Sequence, residues 1–201
     1  MRIRRGTLDD VAIVAQIHTL AFPGFFLTSL GNSFLKELYS GFVNQPGGIF
    51  VVAEDGDKVI GFAAGTTVPD VFFTELRKKR GFYFLLKAFP ALIKNARVVF
   101  KKLFSSIFYK GDKPAELIGG TLLSSIGVIP SLHGGLVGSE LLDDFEKIAF
   151  SQNATFIYLT TDAVGNERTN AFYCKRGYSV EGRFLQQSNR PMLRYVKYNP
   201  K

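Results

Sequence analysis

The segment Ser125–Leu142 constrains the fold of this chain more than any other part of the sequence. An apolar strand stops at Pro130, a turn rich in glycine follows, and an amphipathic helix then begins. The first turn of a helix leaves backbone N–H groups unpaired and its dipole favours an anion, while glycines let a ligand approach the backbone closely. The segment therefore predicts either a pyrophosphate-binding turn or a tight strand-to-helix connection without a ligand.

Two common nucleotide-binding patterns are missing from this segment. No G-x-G-x-x-G follows the strand, and neither Gly-Lys-Ser nor Gly-Lys-Thr follows the turn. Rossmann dehydrogenases and P-loop kinases use those residues to hold their phosphates. Both classes are therefore disfavoured.

Hydrophobic periodicity and turn residues predict strands and helices along most of the chain. The first half predicts a strand at 2–5, a helix from Thr7 to about Leu20, a second helix from Asn32 or Ser33, and a hairpin at 49–54 and 58–67. The second half predicts strands at 121–129, 155–161, 178–187 and 190–198, with helices at 136–152 and 166–176. Thr7 is expected to cap the first helix. We expect one α/β (α+β) domain over residues 1–201, with a mixed sheet flanked by helices.

A basic segment interrupts this order between about residues 68 and 113. Between Val71 and Lys113 lie eleven Lys or Arg residues and only two acids, so this segment carries a net charge of +9 while the whole chain carries +8. Apolar and aromatic residues recur there at helical spacing. Gly81 and Pro90 are expected to divide the segment into two or three helices. We therefore expect a basic helical insertion.

The composition excludes several classes of protein. The chain is 46% hydrophobic and 21% charged, which is typical of a folded domain. A single cysteine, Cys174, excludes an internal disulfide and fits a reducing compartment, and two histidines leave little for a metal centre. The N-terminal residues contain no apolar signal-peptide core, and the longest uncharged run, 117–139, is interrupted by glycine and proline. We expect a cytoplasmic protein without a metal site.

A second motif, NERTNAFYCKRGY, occupies residues 166–178. Asn166 opens a predicted helix, and Tyr173 lies seven residues further on, which is two turns later on the same face. Gly177 then ends the helix before a strand.

Together the two motifs resemble those of the GNAT acetyltransferase superfamily, whose members use acetyl-coenzyme A. The family pattern V-x-P-x-x-[RQ]-x-x-G-x-[GA] aligns with Val128–Gly138, and N-x-x-A-x-x-x-Y-x-x-x-G-[FY] aligns with Asn166–Tyr178. Three positions depart from these patterns, since His133, Leu136 and Thr169 stand where Arg or Gln, Gly and Ala are usual. The order of elements agrees over essentially the whole chain. The resemblance implies a mixed, mostly antiparallel central sheet flanked by helices.

The resemblance also implies a role for each matching residue. Backbone groups of Ile126 and Val128 would contact the pantetheine amides where the fourth and fifth strands splay apart. The pyrophosphate would be bound by the backbone N–H groups of His133, Gly134, Gly135, Leu136, Val137, Gly138 and Ser139. Asn166 would hydrogen-bond the pantetheine arm, and Tyr173 would donate a proton to the departing thiolate.

The proton chemistry is only partly assigned by the residues. A phenol with a reference pKa of about 10 is within reach of a thiol near 8.5, so Tyr173 suits the acid, although a packed tyrosine with a satisfied hydroxyl is the alternative. Many relatives carry a glutamate as general base where this chain has Leu122. Glu116, a water chain or an amine that arrives neutral are the alternatives. His18 is either structural or part of the acceptor pocket, which would be covered by Phe22–Leu30 and the insertion.

Three interpretations of the insertion remain open. It forms a solvated cap over the acceptor side, it makes peripheral contact with an anionic membrane on the inner face, or it binds nucleic acid. The last is disfavoured because no recognised nucleic-acid module accompanies it, so we expect no nucleic-acid partner.

The resemblance implies an acyltransferase that moves an acetyl group from acetyl-CoA directly to a primary amine of a small molecule or sugar. The basic insertion favours an acidic or phosphate-linked acceptor. The competing hypothesis is a non-catalytic binding or membrane-docking module of the same fold, with its cofactor site eroded at Leu136 and its base missing at Leu122.

Overall fold

The computed structural model of the protein describes residues 1–94, 119–132, 135–186 and 189–200. Seven strands of this part of the chain form one sheet in the spatial order β1-β2-β3-β4-β5-β7-β6. The strands are β1 (Arg2–Arg5), β2 (Gly48–Asp55), β3 (Lys58–Thr66), β4 (Thr121–Val128), β5 (Phe156–Asp162), β6 (Ser179–Gln186) and β7 (Arg190–Tyr198). Neighbouring strands are antiparallel except for the central pair β4 and β5, which is parallel.

Six helices accompany the sheet in the described residues. They are α1 (Val11–Ala21), α2 (Phe26–Ser29), α3 (Asn32–Asn44), α4 (Pro69–Lys94), α5 (Val137–Ser151) and α6 (Glu167–Lys175). The mixed, mostly antiparallel sheet flanked by helices confirms the predicted fold class.

Alternating residues of the strands divide the core between the two faces of the sheet. On one face, Phe50 and Phe62 pack against α1, α3 and the first half of α4. On the other face, Val51 and Ala63 pack against α5, and the same apolar cluster extends to Tyr173 of α6. The sheet is therefore a wall between two separately packed layers, and a gap in it would connect them.

The first helix begins later than the sequence predicts. Thr7 does not cap it, because Thr7 donates its backbone N–H and its hydroxyl to the Asp10 carboxylate, at 2.8 and 3.1 Å. Asp10 is the residue at the start of α1, and it also receives both terminal nitrogens of Arg4 at 2.7 and 2.8 Å. The Arg4 guanidinium holds the pKa of the Asp10 carboxyl below its usual range. The residues before α1 are thus fixed by an ion pair with β1.

The described part of the basic insertion is a single helix. The expected division at Gly81 and Pro90 is wrong for this part, since α4 runs from Pro69 to Lys94 through both residues. A glycine lowers the stability of a helix but can still be part of one. A proline has no N–H, so Pro90 cannot donate to the carbonyl oxygen of Leu86, a residue that is exposed to solvent. Residues 95–113 of the predicted insertion lie outside the described part of the chain.

The helix α4 packs on the core through apolar side chains and an ion pair with α3. Phe72 and Leu76 are buried against α3, where Phe72 stacks on Phe42 with ring centroids 4.8 Å apart. Arg80 forms an ion pair with Glu37 of α3. Within the described residues, no helix is both long enough and apolar enough to span a bilayer.

The register between β3 and β4 contains an irregularity that shapes the centre of the sheet. Ala64 pairs with Ser125 and Gly65 with Leu123, so Ser124 has no counterpart on β3 and forms a β-bulge. A Cβ at Gly65 would lie 2.1 Å from the Leu122 carbonyl oxygen and 2.6 Å from the Phe145 ring. The absence of a side chain at this position therefore lets β4 and α5 close over β3 at the bulge.

We predict that Gly65→Ala lowers the free energy of unfolding by about 1–3 kcal/mol, because the added methyl must displace backbone and a buried ring. Gly81→Ala is the control, since a Cβ there meets no atom within 4 Å and alanine is the better helix former, so this change should raise stability by about 1 kcal/mol. Urea denaturation measures both variants. Equal stabilities for the two variants would contradict the close packing at Gly65.

Candidate active site

The parallel strands β4 and β5 part soon after they begin. Thr121 and Leu122 pair with Ile157 and Tyr158, and the described pairing between the two strands goes no further. The bulge at Ser124 follows at once, and a bulge bends its strand away from regular pairing. A cleft therefore opens through the sheet beside the second half of β4.

Two residues of β4 turn their backbone groups toward this cleft. Ile129 donates its N–H to the Ile60 carbonyl oxygen of β3 at 2.9 Å. Successive residues of a strand direct their backbone groups to opposite edges, so those of Val128 and Ile126 face the β5 side. These are the two residues that the family resemblance implies as contacts of the pantetheine chain, which has amides that can hydrogen-bond to a strand.

The helix α5 begins at the end of the cleft. Its first backbone bond runs from the N–H of Glu140 to the carbonyl oxygen of Leu136 at 2.9 Å, so the N–H groups of Val137, Gly138 and Ser139 precede the helical ladder. A Cβ at Gly138 would lie 4.0 Å from the Val128 side chain. The anion-favouring end of α5 thus lies against the last residue of β4.

Leu136 does not obstruct the start of α5. Its backbone lies in the ordinary helical region with φ −73°, and its side chain is 72% exposed. The leucine that replaces the usual glycine therefore causes no backbone strain and points into solvent. Gly135 differs from its neighbours, because its N–H turns back toward the Leu132 carbonyl oxygen at 3.5 Å. His133 and Gly134, which were also predicted to bind the pyrophosphate, lie outside the described residues.

Tyr173 lies in the core layer on the α5 side of the sheet. Its ring packs against Tyr178 and Tyr195, with centroids 5.6 and 5.9 Å away. The same apolar cluster includes Val137 and borders Ile126 and Val128. Burial raises the pKa of the Tyr173 phenol above its ordinary value, so the hydroxyl stays protonated. The cluster thus brings together the β4 segment, the start of α5 and the predicted proton donor.

Asn166 stands directly before α6 and is half-buried. The helix behind it is fixed to β5 by Asn170, which sequence analysis missed. Asn170 donates its side-chain N–H to the Asp162 carbonyl oxygen at 3.0 Å and accepts the Thr161 hydroxyl at 2.6 Å. The sequence points to Asn170 only through its position one helical turn after Asn166. Asn170 sets the distance of α6, and so of Tyr173, from the end of β5.

A buried polar chain reaches β4 from the opposite face of the sheet. The Nδ1 atom of His18 lies 2.6 Å from the Tyr39 hydroxyl, which lies 3.1 Å from the hydroxyl of Ser125. His18 and Tyr39 are 3% and 0% exposed, whereas Ser125 is half-buried beside the cleft. Desolvation lowers the pKa of His18 to about 4, so its imidazole is neutral near pH 7. Sequence analysis singled out His18 but neither of its partners.

The connection after α1 crosses the cleft on this face. A Cβ at Gly127 would contact Ala21 and Phe22 of this connection at 3.3 Å, so the end of α1 lies on β4. Phe25 then reaches Arg190 of β7, whose guanidinium carbon is 4.9 Å from the ring centroid. Arg190 also forms an ion pair with Asp162 at the end of β5. The segment therefore spans the gap from β4 to β5 and β7.

No described residue of β4 is a carboxylate that could act as a general base. Leu122, at the position where relatives carry glutamate, packs against Phe156 and Tyr158. Glu116, the alternative from the sequence, lies outside the described residues. Among the residues that the structure describes, no group of three or more His, Cys, Asp or Glu side chains could hold a metal ion.

The parted parallel strands, with a helix N-terminus at the end of the cleft, are the arrangement that the sequence motifs imply for a coenzyme A site. A model described as the Acetyltransferase (GNAT) family matches residues 108–178. This part of the chain is therefore similar to the GNAT family, and solved structures of GNAT proteins share the fold, which supports the resemblance stated from the sequence.

Solved structures share this fold at low sequence identity. Ribosomal-protein-alanine N-acetyltransferase from Brucella melitensis has a TM-score of 0.66 at 16% identity, over 99% of this chain and 100% of its own. Aminoglycoside 6'-N-acetyltransferase, solved with coenzyme A, has a TM-score of 0.63 at 18% identity, over 100% and 99% of the two chains. Aminoglycoside 6'-acetyltransferase type Ii has a TM-score of 0.64 at 19% identity, over 100% and 99%. No curated protein sequence matches the chain.

We predict that protonation of His18 destabilises the fold between about pH 6.5 and 4. Its folded pKa of about 4 lies below the unfolded value near 6.5, so the unfolded chain binds the extra proton and stability falls as the pH is lowered through this window. The loss should reach about 2–3 kcal/mol by pH 4. His18→Gln, which stays neutral, should flatten this part of the profile of unfolding free energy against pH.

Asp10 does not interfere with this measurement. Its folded pKa is lowered by Arg4, so its contribution is present above the unfolded value near 3.9 and is lost only at lower pH. Chemical denaturation at half-unit steps of pH separates the two effects. Parallel profiles for the wild type and His18→Gln would show that the imidazole is not desolvated.

Proposed function

We propose that this protein is an acetyl-CoA-dependent N-acetyltransferase that transfers the acetyl group directly to a primary amine of a small molecule or sugar. The observation that carries the proposal is the cleft between β4 and β5, because the backbone groups of Ile126 and Val128 face it and the N-terminus of α5 lies at its end. The match of residues 108–178 to the GNAT family model supports the same chemistry.

The cleft matches the chemistry of the co-substrate from one end to the other. Amides of the pantetheine arm would lie along the backbone groups of Ile126 and Val128 that face the cleft. The pyrophosphate would accept N–H groups of Leu136, Val137, Gly138 and Ser139 at the helix N-terminus, together with those of His133 and Gly134 in the preceding turn. Gly135 would join them only by releasing the Leu132 carbonyl oxygen. Asn166, at the far wall, would hydrogen-bond the arm. One of the solved relatives was crystallised with coenzyme A.

The reaction requires one bond to form and one to break. The amine nitrogen attacks the thioester carbonyl carbon, the carbon–sulfur bond breaks, the nitrogen loses a proton and the sulfur gains one. Tyr173 would supply the proton to sulfur, since its raised pKa keeps the phenol protonated over the whole physiological range. The thioester supplies the activated acetyl group, so no covalent intermediate on the protein is needed.

The acceptor would enter from the α1 and α3 side of the sheet. There the cleft is bounded by the Phe22–Leu30 segment and by Arg190 and Asp162. The solved relatives include enzymes named for an aminoglycoside and for a ribosomal protein alanine. For this chain we propose a small amine, and the basic character of α4 favours one that carries acidic or phosphate groups.

The non-catalytic alternative receives little support from the described residues. Leu136 is exposed to solvent, so its side chain does not cover the start of α5. No observation among the described residues favours the membrane-docking form of this alternative. We therefore retain the enzyme as the proposal.

Calorimetric titration with acetyl-CoA tests the proposal first, and release of free thiol with a panel of amines tests it second. The panel contains glucosamine, spermidine, kanamycin and a peptide that begins with alanine. Binding followed by acetylation of at least one amine is the expected result. Binding without turnover would favour the non-catalytic module, and the absence of binding would overturn the proposal.

We predict that Tyr173→Phe lowers kcat by about a hundredfold or more while acetyl-CoA affinity changes less than threefold, because a general acid contributes about 10²–10⁴-fold. Tyr178→Phe is the matched control. It removes the hydroxyl of a second buried tyrosine, whose ring centroid is 5.6 Å from that of Tyr173. Equal losses in both variants would indicate a packing effect and not proton donation.

We predict that Leu136→Asp weakens acetyl-CoA binding by about tenfold, whereas Leu136→Asn changes it less than threefold. The two side chains have nearly the same shape, and the position is 72% exposed, so neither should lower the melting temperature. Only the aspartate places a negative charge where the pyrophosphate would bind. Equal affinities for the two variants would show that the start of α5 does not bind phosphate.

A further inference from the structure

We propose that the Ser125 hydroxyl accepts a hydrogen bond from the acceptor amine, and that Tyr39 and His18 hold this hydroxyl in the orientation that the contact requires. The proposal rests on the proposed function and adds to it a side chain that orients the nucleophile. None of the three residues lies in the stretches that align with the family patterns, Val128–Gly138 and Asn166–Tyr178.

Ser125 lies where the acceptor and the thioester would meet. It follows the bulge at Ser124 and directly precedes Ile126, whose backbone faces the cleft. Its side chain reaches Tyr39 on the α1 and α3 face, which is the proposed acceptor side. Ser125 is half-buried while Tyr39 and His18 are buried, so Ser125 is the member of this chain that a ligand in the cleft would reach.

The proposal requires one direction for these hydrogen bonds. The phenol donates to Nδ1 of the neutral imidazole, and the His18–Tyr39 distance of 2.6 Å suits an O–H donor. The Tyr39 oxygen can then accept the Ser125 hydroxyl at 3.1 Å. With its hydrogen committed, Ser125 presents lone pairs, and an amine N–H is the group that lone pairs bind.

The chain orients the amine and does not carry its proton away. The Nε2 atom of His18 has no hydrogen-bond partner among the described residues, so a proton that arrived at the ring has no onward acceptor. Transfer from an ammonium of pKa near 10 to an imidazole of pKa about 4 is also unfavourable by about a millionfold. Tyr39 and His18 are therefore positioning residues.

The setting of the chain explains why its orientation is fixed. The His18 ring lies against Phe22 and Phe62, with centroids 4.7 and 6.3 Å away, and Tyr39 packs on Phe62 at 5.1 Å. In these apolar surroundings the Nδ1 atom of His18 depends on the Tyr39 hydroxyl, since an unpaired buried group costs about 1–3 kcal/mol. The Tyr39 hydroxyl cannot rotate away without leaving the Nδ1 atom of His18 unpaired.

The test compares Ser125→Ala and Ser125→Thr with Ser124→Ala, the control at the neighbouring exposed bulge residue. Each full-length variant is measured for acetyl-CoA affinity by calorimetry and for KM and kcat with the panel amine that the wild type acetylates fastest. If none is acetylated, thiol release by water as acceptor is measured in its place. Melting temperatures report the fold.

We expect Ser125→Ala to lower kcat/KM for the amine, or the rate with water, by about tenfold while acetyl-CoA affinity stays within twofold. Ser125→Thr should restore most of this loss because it keeps a hydroxyl, and Ser124→Ala should match the wild type. Tyr39→Phe should lower the same quantity, and the double variant Tyr39→Phe/Ser125→Ala should be no worse than Ser125→Ala alone.

The outcomes separate this proposal from the proposed function. Wild-type protein that fails to bind acetyl-CoA overturns both. Protein that binds acetyl-CoA but shows equal rates for wild type and Ser125→Ala overturns only the role of Ser125. Losses in Tyr39→Phe and Ser125→Ala that multiply in the double variant overturn the positioning role of Tyr39, because residues acting through one hydroxyl cannot contribute independently.

Discussion

The separation of β4 from β5 is the constraint on which the rest of the site depends. The strands share two residue pairs, and the bulge at Ser124 then turns β4 away. The backbone groups of Ile126 and Val128 then face the gap instead of a paired strand. The start of α5 lies at the same place, so an extended ligand with amides and a terminal anion, as proposed above, would contact both.

The separation also connects two core layers that the sheet otherwise isolates. Tyr173 belongs to the layer beneath α5, and the His18–Tyr39–Ser125 chain belongs to the layer of α1 and α3. A nucleophile from one side and a proton donor from the other can reach a common atom only through the cleft. Gly127 brings the α1 layer close, since a Cβ there would lie 2.9 Å from the Phe62 ring.

Local patterns predicted the order of elements and both motifs, because strand alternation, helical spacing and a glycine stop depend on neighbouring residues. Features that depend on distant contacts were missed. The bulge at Ser124 depends on Gly65 and Phe145, and Tyr39 meets Ser125 across 86 residues of sequence. Thr7 was expected to cap α1, but Asp10 stands at the start of the helix and binds both Arg4 of β1 and the N–H of Thr7. Such long-range pairs carry no local signal from which a site can be predicted.

The electrostatic character of the cleft bears on how the amine would lose its charge. Tyr173, which is proposed to protonate the sulfur, is neutral because burial raises its pKa, and His18 behind Tyr39 and Ser125 is neutral because desolvation lowers its pKa. The N-terminus of α5 adds partial positive charge. An ammonium entering such a cleft gives up hydration without gaining a carboxylate from the described part of β4. The neutral amine is therefore the form this site favours, and its proton would be released to water before transfer and not to a base on β4.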